Sequence, residues 1–165
     1  MRLPLGRRSQ PSPPPTVAEA LEPIRILLRD ADLSGAVRPQ SERTTDTLQR
    51  GDPIVFLPAG AKPDEWVEIA PSEVMMVVPP PFARRPWMRE RRQPQRVTVR
   101  IGPYVATGTA HLRIGQERDL MLRATRPFLP LTDATFSRAD EAAQHHVETL
   151  IVNLNWVEEL TSAQD

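Results

Sequence analysis

The chain has 165 residues, a formal net charge of zero, 39% apolar residues, 5% aromatic residues and no cysteine. This length suits one domain of ordinary size or two small ones, with a core built from Val, Ile, Leu and Ala. The lack of cysteine excludes disulfides, thiolate metal sites and cysteine nucleophiles. The first residues carry no apolar segment of the signal-peptide kind, and no run approaches the length of a membrane span, so we expect a soluble, cytoplasmic protein.

Nineteen prolines cluster near the amino terminus and around Pro79–Pro94. We predict that residues 1–22 form a proline-rich arm with a short helix after Thr16, and that residues 80–95 form a linker rich in proline and arginine. Six arginines stand against Glu90 alone in Arg84–Arg96, so the rest of the chain has an excess of acidic residues. Mildly acidic folded parts are therefore expected to carry basic tethers.

The two halves of the chain follow the same order of elements. Alternating apolar residues predict strands at Ile24–Leu28 and Val97–Ile101, and each is followed by a turn and a second alternating segment. Gly35 and Gly108 lie in the middle of these second segments at the same spacing, which indicates a bend or a close backbone approach.

The later elements also correspond, because a proline ends each predicted helix and a strand begins just after it. The loop Ser137–His146 is longer than its counterpart, begins with the cap-like residues Ser137 and Asp140, and could form one or two helical turns. The other predicted segments are the helices Ser41–Gly51 and Gly115–Thr125, the strands after Pro53 and Pro127, and the closing strands within Trp66–Val78 and His146–Leu160.

We therefore predict a mainly β protein with two tandem strand, strand, short helix, strand, strand units over residues 23–79 and 96–160, and a tail over 161–165. The units could pack as a pseudo-twofold pair or be joined as beads by the linker. The alternative is a single irregular β domain whose halves only resemble each other.

Three segments resemble the motifs of a family of uncharacterised bacterial domains of unknown function. "RTTDTLQ" (Arg43–Gln49) is similar to the family's short helix, "FLPLTDA" (Phe128–Ala134) to its Thr-Asp strand, and "IVNLNWVEE" (Ile151–Glu159) to its closing strand. The first half lacks the Thr-Asp pair and the asparagine of these motifs. The resemblance spans about residues 24–160 and implies a fold type rather than an activity.

Few residues suggest catalysis or metal binding. His145 and His146 are adjacent, so their side chains point to opposite faces of a strand or about 100° apart on a helix and do not easily share a metal, and His111 is isolated in the sequence. Asp119 and Asp133 could converge as paired carboxylates, but a helix-start charge and a turn residue after a strand are the favoured interpretations. We predict no catalytic residues, no metal and no cofactor, and we assign Met75 and Met76 to the core.

The segment Pro79–Arg96 mixes arginine with Phe82, Trp87 and Met88. Such a segment can bind an acidic protein surface, nucleic-acid phosphates with base stacking, or an anionic membrane, or it can be only a solvated tether. We predict a non-catalytic protein-binding adaptor or assembly module that uses its sheet edges and this linker. The alternative is a nucleic-acid-binding accessory protein, and homo-oligomers through the edges are a further option. The predicted partner-binding residues are Arg84, Arg85, Trp87, Arg89, Arg91 and Arg92.

Overall fold

The structure, a computed structural model, describes residues 20–82, 92–113 and 126–162. These residues form ten strands, one short α-helix and two 3-10 turns, so the prediction of a mainly β protein is confirmed. The strands are β1 (Glu22–Leu27), β2 (Asp32–Val37), β3 (Ile54–Pro58), β4 (Val67–Ile69), β5 (Met76–Val78), β6 (Arg92–Ile101), β7 (Tyr104–Arg113), β8 (Phe128–Arg138), β9 (Gln144–Asn153) and β10 (Val157–Ser162).

All ten strands belong to one curled antiparallel sheet with the order β10-β6-β7-β8-β9-β5-β1-β2-β3-β4. The halves of the chain meet at its centre, where β5 pairs with β9 in a register that places Met76 opposite Val152 and Val77 opposite Ile151. The strands β10 and β4 are the two ends of this order. Among the described residues, each of them therefore has a neighbouring strand on one side only.

Two apolar cores lie on the two faces of this sheet. The first core takes Ile24 and Ile26 from β1 and Phe56 from β3, together with Leu48 of the helix. The second core takes its side chains mainly from β6 to β9, and Phe136 and Leu131 are among its largest. The central strands are buried on both faces, since neighbouring residues of a strand point to opposite sides. The sheet therefore separates the two cores and contributes side chains to both.

The short helix α1 (Thr44–Gln49) confirms the helix predicted over Ser41–Gly51. It is only six residues long, and Gly51, two residues after its last residue, has a φ of 83° that suits a residue without a side chain. No helix among the described residues is long and apolar enough to cross a membrane. The helix predicted over Gly115–Thr125 and the one after Thr16 lie outside the described residues.

The closing segment of each half is two strands rather than the single strand predicted. A 3-10 turn, Pro71–Glu73, separates β4 from β5, and a second one, Leu154–Trp156, separates β9 from β10. In the first turn Pro71 has no N–H that could continue the ladder, and the amide of Ala70 donates to Oε2 of Glu73 at 3.2 Å. In the second, Oδ1 of Asn153 accepts from the amide of Asn155 at 3.1 Å. Each half therefore contains five strands.

The prediction of helical turns over Ser137–His146 is wrong. β8 continues to Arg138 and β9 begins at Gln144, and their pairing extends to Ser137 opposite Gln144. The connection is a tight turn in which the amide of Glu141 donates to the carbonyl oxygen of Arg138 at 3.0 Å. Cross-strand pairing thus outweighs the capping pattern of Ser137.

Asp133 is not a turn residue after a strand, as predicted, but a residue inside β8. Its φ is 48°, and the register between β7 and β8 shifts between Thr107 and Thr109, which is the geometry of a β-bulge. Aspartate tolerates this left-handed backbone conformation better than most residues. The Thr-Asp motif therefore marks a bulge.

The linker predicted over residues 80–95 is strand at its carboxyl end. β6 begins at Arg92 and pairs with β7 from that residue onward, with Arg92 opposite Arg113. Residues 83–91 lie outside the described part of the chain.

The close approach predicted at the two mid-strand glycines is confirmed. A Cβ atom on Gly35 would meet the carbonyl oxygen of Leu57 and lie 2.8 Å from Cδ2 of Phe56, and a Cβ atom on Gly108 would lie 2.8 Å from Cβ of Leu131. Both distances are shorter than van der Waals contact, so neighbouring strands require glycine at these positions.

We expect Gly35→Ala to lower the free energy of unfolding by about 1–3 kcal/mol, because the added methyl group overpacks the contact between β2 and β3. Urea denaturation measures this change, and Ser34→Ala on the same strand is the matched control. Equal denaturation midpoints for the two variants would contradict the close approach.

Candidate functional site

The structure places only one of the six predicted partner-binding residues. Arg92 is exposed at the start of β6, whereas Arg84, Arg85, Trp87, Arg89 and Arg91 lie outside the described residues. Pairing with β10 covers only Val97–Ile101 of β6, and among the described strands β7 alone pairs with Gln93–Arg96. The start of β6 is therefore a projecting ladder at the carboxyl end of the predicted linker.

A polar cluster on β6 to β9 surrounds the bulge at Asp133. Nη1 of Arg96 donates to the carbonyl oxygen of Asp133 at 2.9 Å and lies 3.5 Å from its carboxylate. Nε2 of His146 lies 2.8 Å from Oδ1 of Asp133, and this hydrogen bond, with the charge of Arg96, lowers the pKa of Asp133. The cluster is solvent-exposed and fixes the bulge.

The three histidines have separate partners. The ring of His145 stacks on that of Phe136 with centroids 5.0 Å apart, while His146 contacts Asp133 on the other side of the strand. Nε2 of His111 lies 2.8 Å from the hydroxyl of Thr132. This confirms that His145 and His146 point to opposite faces. Within residues 20–82, 92–113 and 126–162, no group of three or more histidines and carboxylates could hold a metal ion, and Asp119 lies outside them.

Arg25 connects the β1–β2 hairpin to the second core. Its guanidinium donates to both carboxylate oxygens of Asp32, at 2.9 and 2.6 Å, and lies 5.2 Å from the centre of the Phe136 ring. The hydrogen bonding between Arg25 and Asp32 raises the pKa of Arg25 and lowers that of Asp32. A charged pair thus covers the rim of an apolar core contributed by the other half.

An open cleft of about 500 Å³ lies where the β1–β2 and β6–β7 turns approach each other. Arg29 and Arg138 line it together with Asp30 and Glu158, and Trp156 supplies a ring. The two positive and two negative charges give the cleft no preference for a cation or an anion.

Two buried or half-buried amides fasten one half of the chain to the other. Nδ2 of Asn153, which is 2% exposed, donates to the carbonyl oxygen of Val74 at 2.9 Å and to that of Pro71 at 3.4 Å. Gln49 at the end of α1 donates from Nε2 to the carbonyl oxygen of Phe128 at 2.9 Å. Nε1 of Trp156 adds a bond to the carbonyl oxygen of Ser72 at 3.0 Å.

These contacts give the motif segments of the sequence a role that residue patterns did not predict. Gln49 ends "RTTDTLQ", Phe128 begins "FLPLTDA", and Asn153 lies in "IVNLNWVEE". All three residues act at the joint between the halves, which we call the β5–β9 junction. The buried asparagine in an apolar strand was the available signal, because a buried amide needs hydrogen-bond partners.

The two terminal strands are the other candidate surface. β4 has only three residues, and Val67 on it and Val55 on the neighbouring β3 are 39% and 41% exposed. β10 carries Glu158 and Glu159, and a carboxylate oxygen of each lies 3.6 Å from a guanidinium nitrogen of Arg100. One edge therefore exposes valines and the other an ion-pair cluster.

We expect Asn153→Ala to lower the free energy of unfolding by about 2 kcal/mol, because it leaves the buried carbonyl oxygen of Val74 without this donor. The measurement is chemical denaturation, with Asn155→Ala as the matched control because only the backbone amide of Asn155 takes part in the turn. If Asn153→Ala lowered the free energy of unfolding no more than Asn155→Ala does, the side chain of Asn153 would not be holding the two halves together.

We expect Asp32→Asn to flatten the loss of stability in acid. The pKa of Asp32 is lower in the folded chain than in the unfolded one, so its contribution is present above the unfolded value and disappears as the pH falls through the folded value, below about 4. The pair is partly exposed, so this contribution is below about 1 kcal/mol.

Denaturation midpoints at about pH 6 and about pH 3 for the wild type and Asp32→Asn give the test of this linkage. The other carboxylates titrate in both proteins, so the difference between the two changes isolates Asp32. Parallel changes in the two proteins would show that the Arg25 pair is not linked to folding.

Comparisons of the chain with protein-family models, with curated proteins and with solved structures found no match. The resemblance of its motifs to a family of uncharacterised bacterial domains therefore stays a prediction. The function has to be argued from the geometry of the chain itself.

Proposed function

We propose that this chain is a non-catalytic adaptor or assembly module made of two tandem copies of one β unit. It binds another protein through the terminal strands of its sheet and through the basic segment that precedes β6. The observation that carries the proposal is a continuous sheet that joins the two halves and leaves one terminal strand of each at an edge.

The strand order supports two copies. The first half contributes β5-β1-β2-β3-β4 to the sheet, and the second contributes β10-β6-β7-β8-β9. In both halves the fifth strand precedes the first, and a 3-10 turn stands between the fourth and the fifth. Two halves that resembled each other only by chance would have no reason to place the fifth strand beside the first in the same way.

The pairing register supports the same correspondence. Ile24 lies opposite Gly35 in the first half, and Val97 lies opposite Gly108 in the second. At the last strand, Leu27 lies opposite Met76, and Arg100 lies opposite Glu159. The strands that pair in one half thus have partners at matching positions in the other.

The placement of the two cores fits a particular relation between the copies. All neighbouring strands of the sheet are antiparallel. The second unit therefore has the same strand order as the first, while each of its strands runs in the opposite direction to its counterpart in the first unit. A half-turn rotation about an axis that lies in the sheet and crosses the strands, combined with a shift along that axis, relates the two units in this way. The same rotation exchanges the two faces of the sheet. This relation replaces the simple twofold pair, and it explains why the cores lie on opposite faces.

The terminal strands supply the binding mode. A strand at a sheet edge presents backbone N–H and C=O groups that an extended segment of a partner can pair with. β6, which begins at Arg92, lies next to β10 in the strand order. Positive charge near an edge favours a partner with an acidic surface.

We expect affinity purification from native lysate to recover a protein partner that survives nuclease treatment. The partner should be lost when Arg84, Arg85, Arg89, Arg91 and Arg92 are changed to serine, because these guanidinium groups supply the electrostatic attraction. The matched control changes the exposed residues Arg29, Arg38, Arg50 and Arg126, none of which lies on β10, on β6 or in the basic segment, to serine. Deuterium exchange of the wild type with the recovered partner should then show slower exchange in β4 or β10.

Other outcomes would decide against the proposal. Loss of every bound species on nuclease treatment, with affinity falling linearly in log–log plots against salt, would favour the nucleic-acid-binding alternative with Trp87 stacking on a base. Equal recovery by the wild type and both arginine variants would mean that the basic segment is only a tether.

A further inference from the structure

Side chains cross the β5–β9 junction in both directions. Leu27, Met75 and Met76 belong to the first half but are fully buried in the core of the second half. In return, Phe128 and Ile151 of the second half are buried in the core of the first. The junction is therefore an interface in which each unit completes the core of the other.

The corresponding positions at the outer edges follow from the pairing registers. Leu27 and Met76 correspond to Arg100 and Glu159, since each pair faces across the first and fifth strands of its half. Met75, one residue before Met76, corresponds to Glu158. Three apolar residues of the junction are thus replaced by three charged residues at the β10 edge of the second unit.

The β4 edge of the first unit shows the same replacement. The pairing of β3 with β4 and of β8 with β9, together with the two 3-10 turns, makes Glu68 the counterpart of Ile151. Ala70 and Glu73 stand at the places of Asn153 and Trp156. The amide of Asn153 and the indole of Trp156, two of the side chains that fasten the junction by hydrogen bonds, therefore have no counterpart at this edge.

The charged residues at the β10 edge form ion pairs with one another. Nε of Arg100 lies 3.6 Å from Glu158, and its Nη2 lies 3.6 Å from Glu159. All three side chains are more than half exposed. Repeating the junction between β10 and β4 of two chains would transfer Glu159 and Glu68 into apolar cores, where an unpaired carboxylate is strongly disfavoured.

We infer that the two outer edges are inactivated forms of the β5–β9 junction, and that their charges stop the chain from joining to a second copy of itself. This inference rests on the two-copy part of the proposed function. It leaves β4 and β10 accessible to a different partner, because the backbone groups of an edge strand can pair with a segment that carries complementary charges.

The variant Arg100→Leu, Glu158→Met, Glu159→Met, Glu68→Ile restores the apolar side chains of the junction. We expect the wild type to sediment as a monomer and the variant to form dimers or larger species, at least doubling the weight-average mass. The matched control is Arg126→Leu, Glu141→Met, Glu148→Met, Asp64→Ile, which makes the same kinds of change at exposed positions away from these paired edges. Circular dichroism reports whether each protein is folded.

Cysteine cross-linking tests the register of the new contact, and the chain has no cysteine of its own. Ile151 lies opposite Val77 in the junction, so Glu68→Cys in one chain should face Leu160→Cys in another. Both are placed in the Arg100→Leu, Glu158→Met, Glu159→Met background and mixed. A disulfide dimer should form with this pair and be at least tenfold weaker when Thr161→Cys replaces Leu160→Cys.

Three results would overturn the inference. The first is a multimeric wild type in which Glu68→Cys and Leu160→Cys cross-link without any other change. The second is a folded four-residue variant that stays monomeric. The third is association without a preferred register.

If the four-residue variant does not fold, the pair Glu68→Ile and Glu159→Met is assessed by the same sedimentation criterion. None of these assays uses a lysate partner, so loss of the adaptor function would be detected separately.

Discussion

The pairing of β5 with β9 is the interaction on which the rest of the fold depends. β5 has only three residues, yet its side chains face two cores, and the strand lies between β9 of one half and β1 of the other. Without this pairing, the faces of β1 and β9 that point away from their own cores would expose Leu27 and Ile151 to water. The amide of Asn153 and the indole of Trp156 add directional bonds to a contact that is otherwise apolar. Shape and hydrogen bonding thus act together at one short strand.

Much of the strand content could be predicted because alternation of apolar residues reports one-sided burial. It identified β1, β2, β6 and β7, and the glycines at positions 35 and 108 correctly indicated close contacts between strands. Alternation does not report which strands become neighbours, so it could not reveal that the closing segments split at Pro71 and Asn153. The bulge at Asp133 was misread for a related reason, because a residue that tolerates positive φ serves in a turn and in a bulge alike.

The candidate site was harder to predict than the fold. Composition drew attention to the arginines of the linker, and the structure places only Arg92 of the predicted residues, at the start of β6. The residues that join the halves gave a weaker signal in the sequence, since Gln49 and Phe128 are 79 positions apart and their contact depends on the topology of the whole sheet. The charges at positions 68, 100 and 159 look like ordinary surface residues until the registers of the two halves are compared.

The exchange of side chains across the central strands also governs how the molecule comes apart. Each core contains residues from both halves, so neither half can lose its structure while the other keeps a complete interior. The expected behaviour is a single cooperative transition rather than one for each half of the chain. Destabilising one half would then shorten the lifetime of the other, and proteases would encounter either an intact sheet or an open chain.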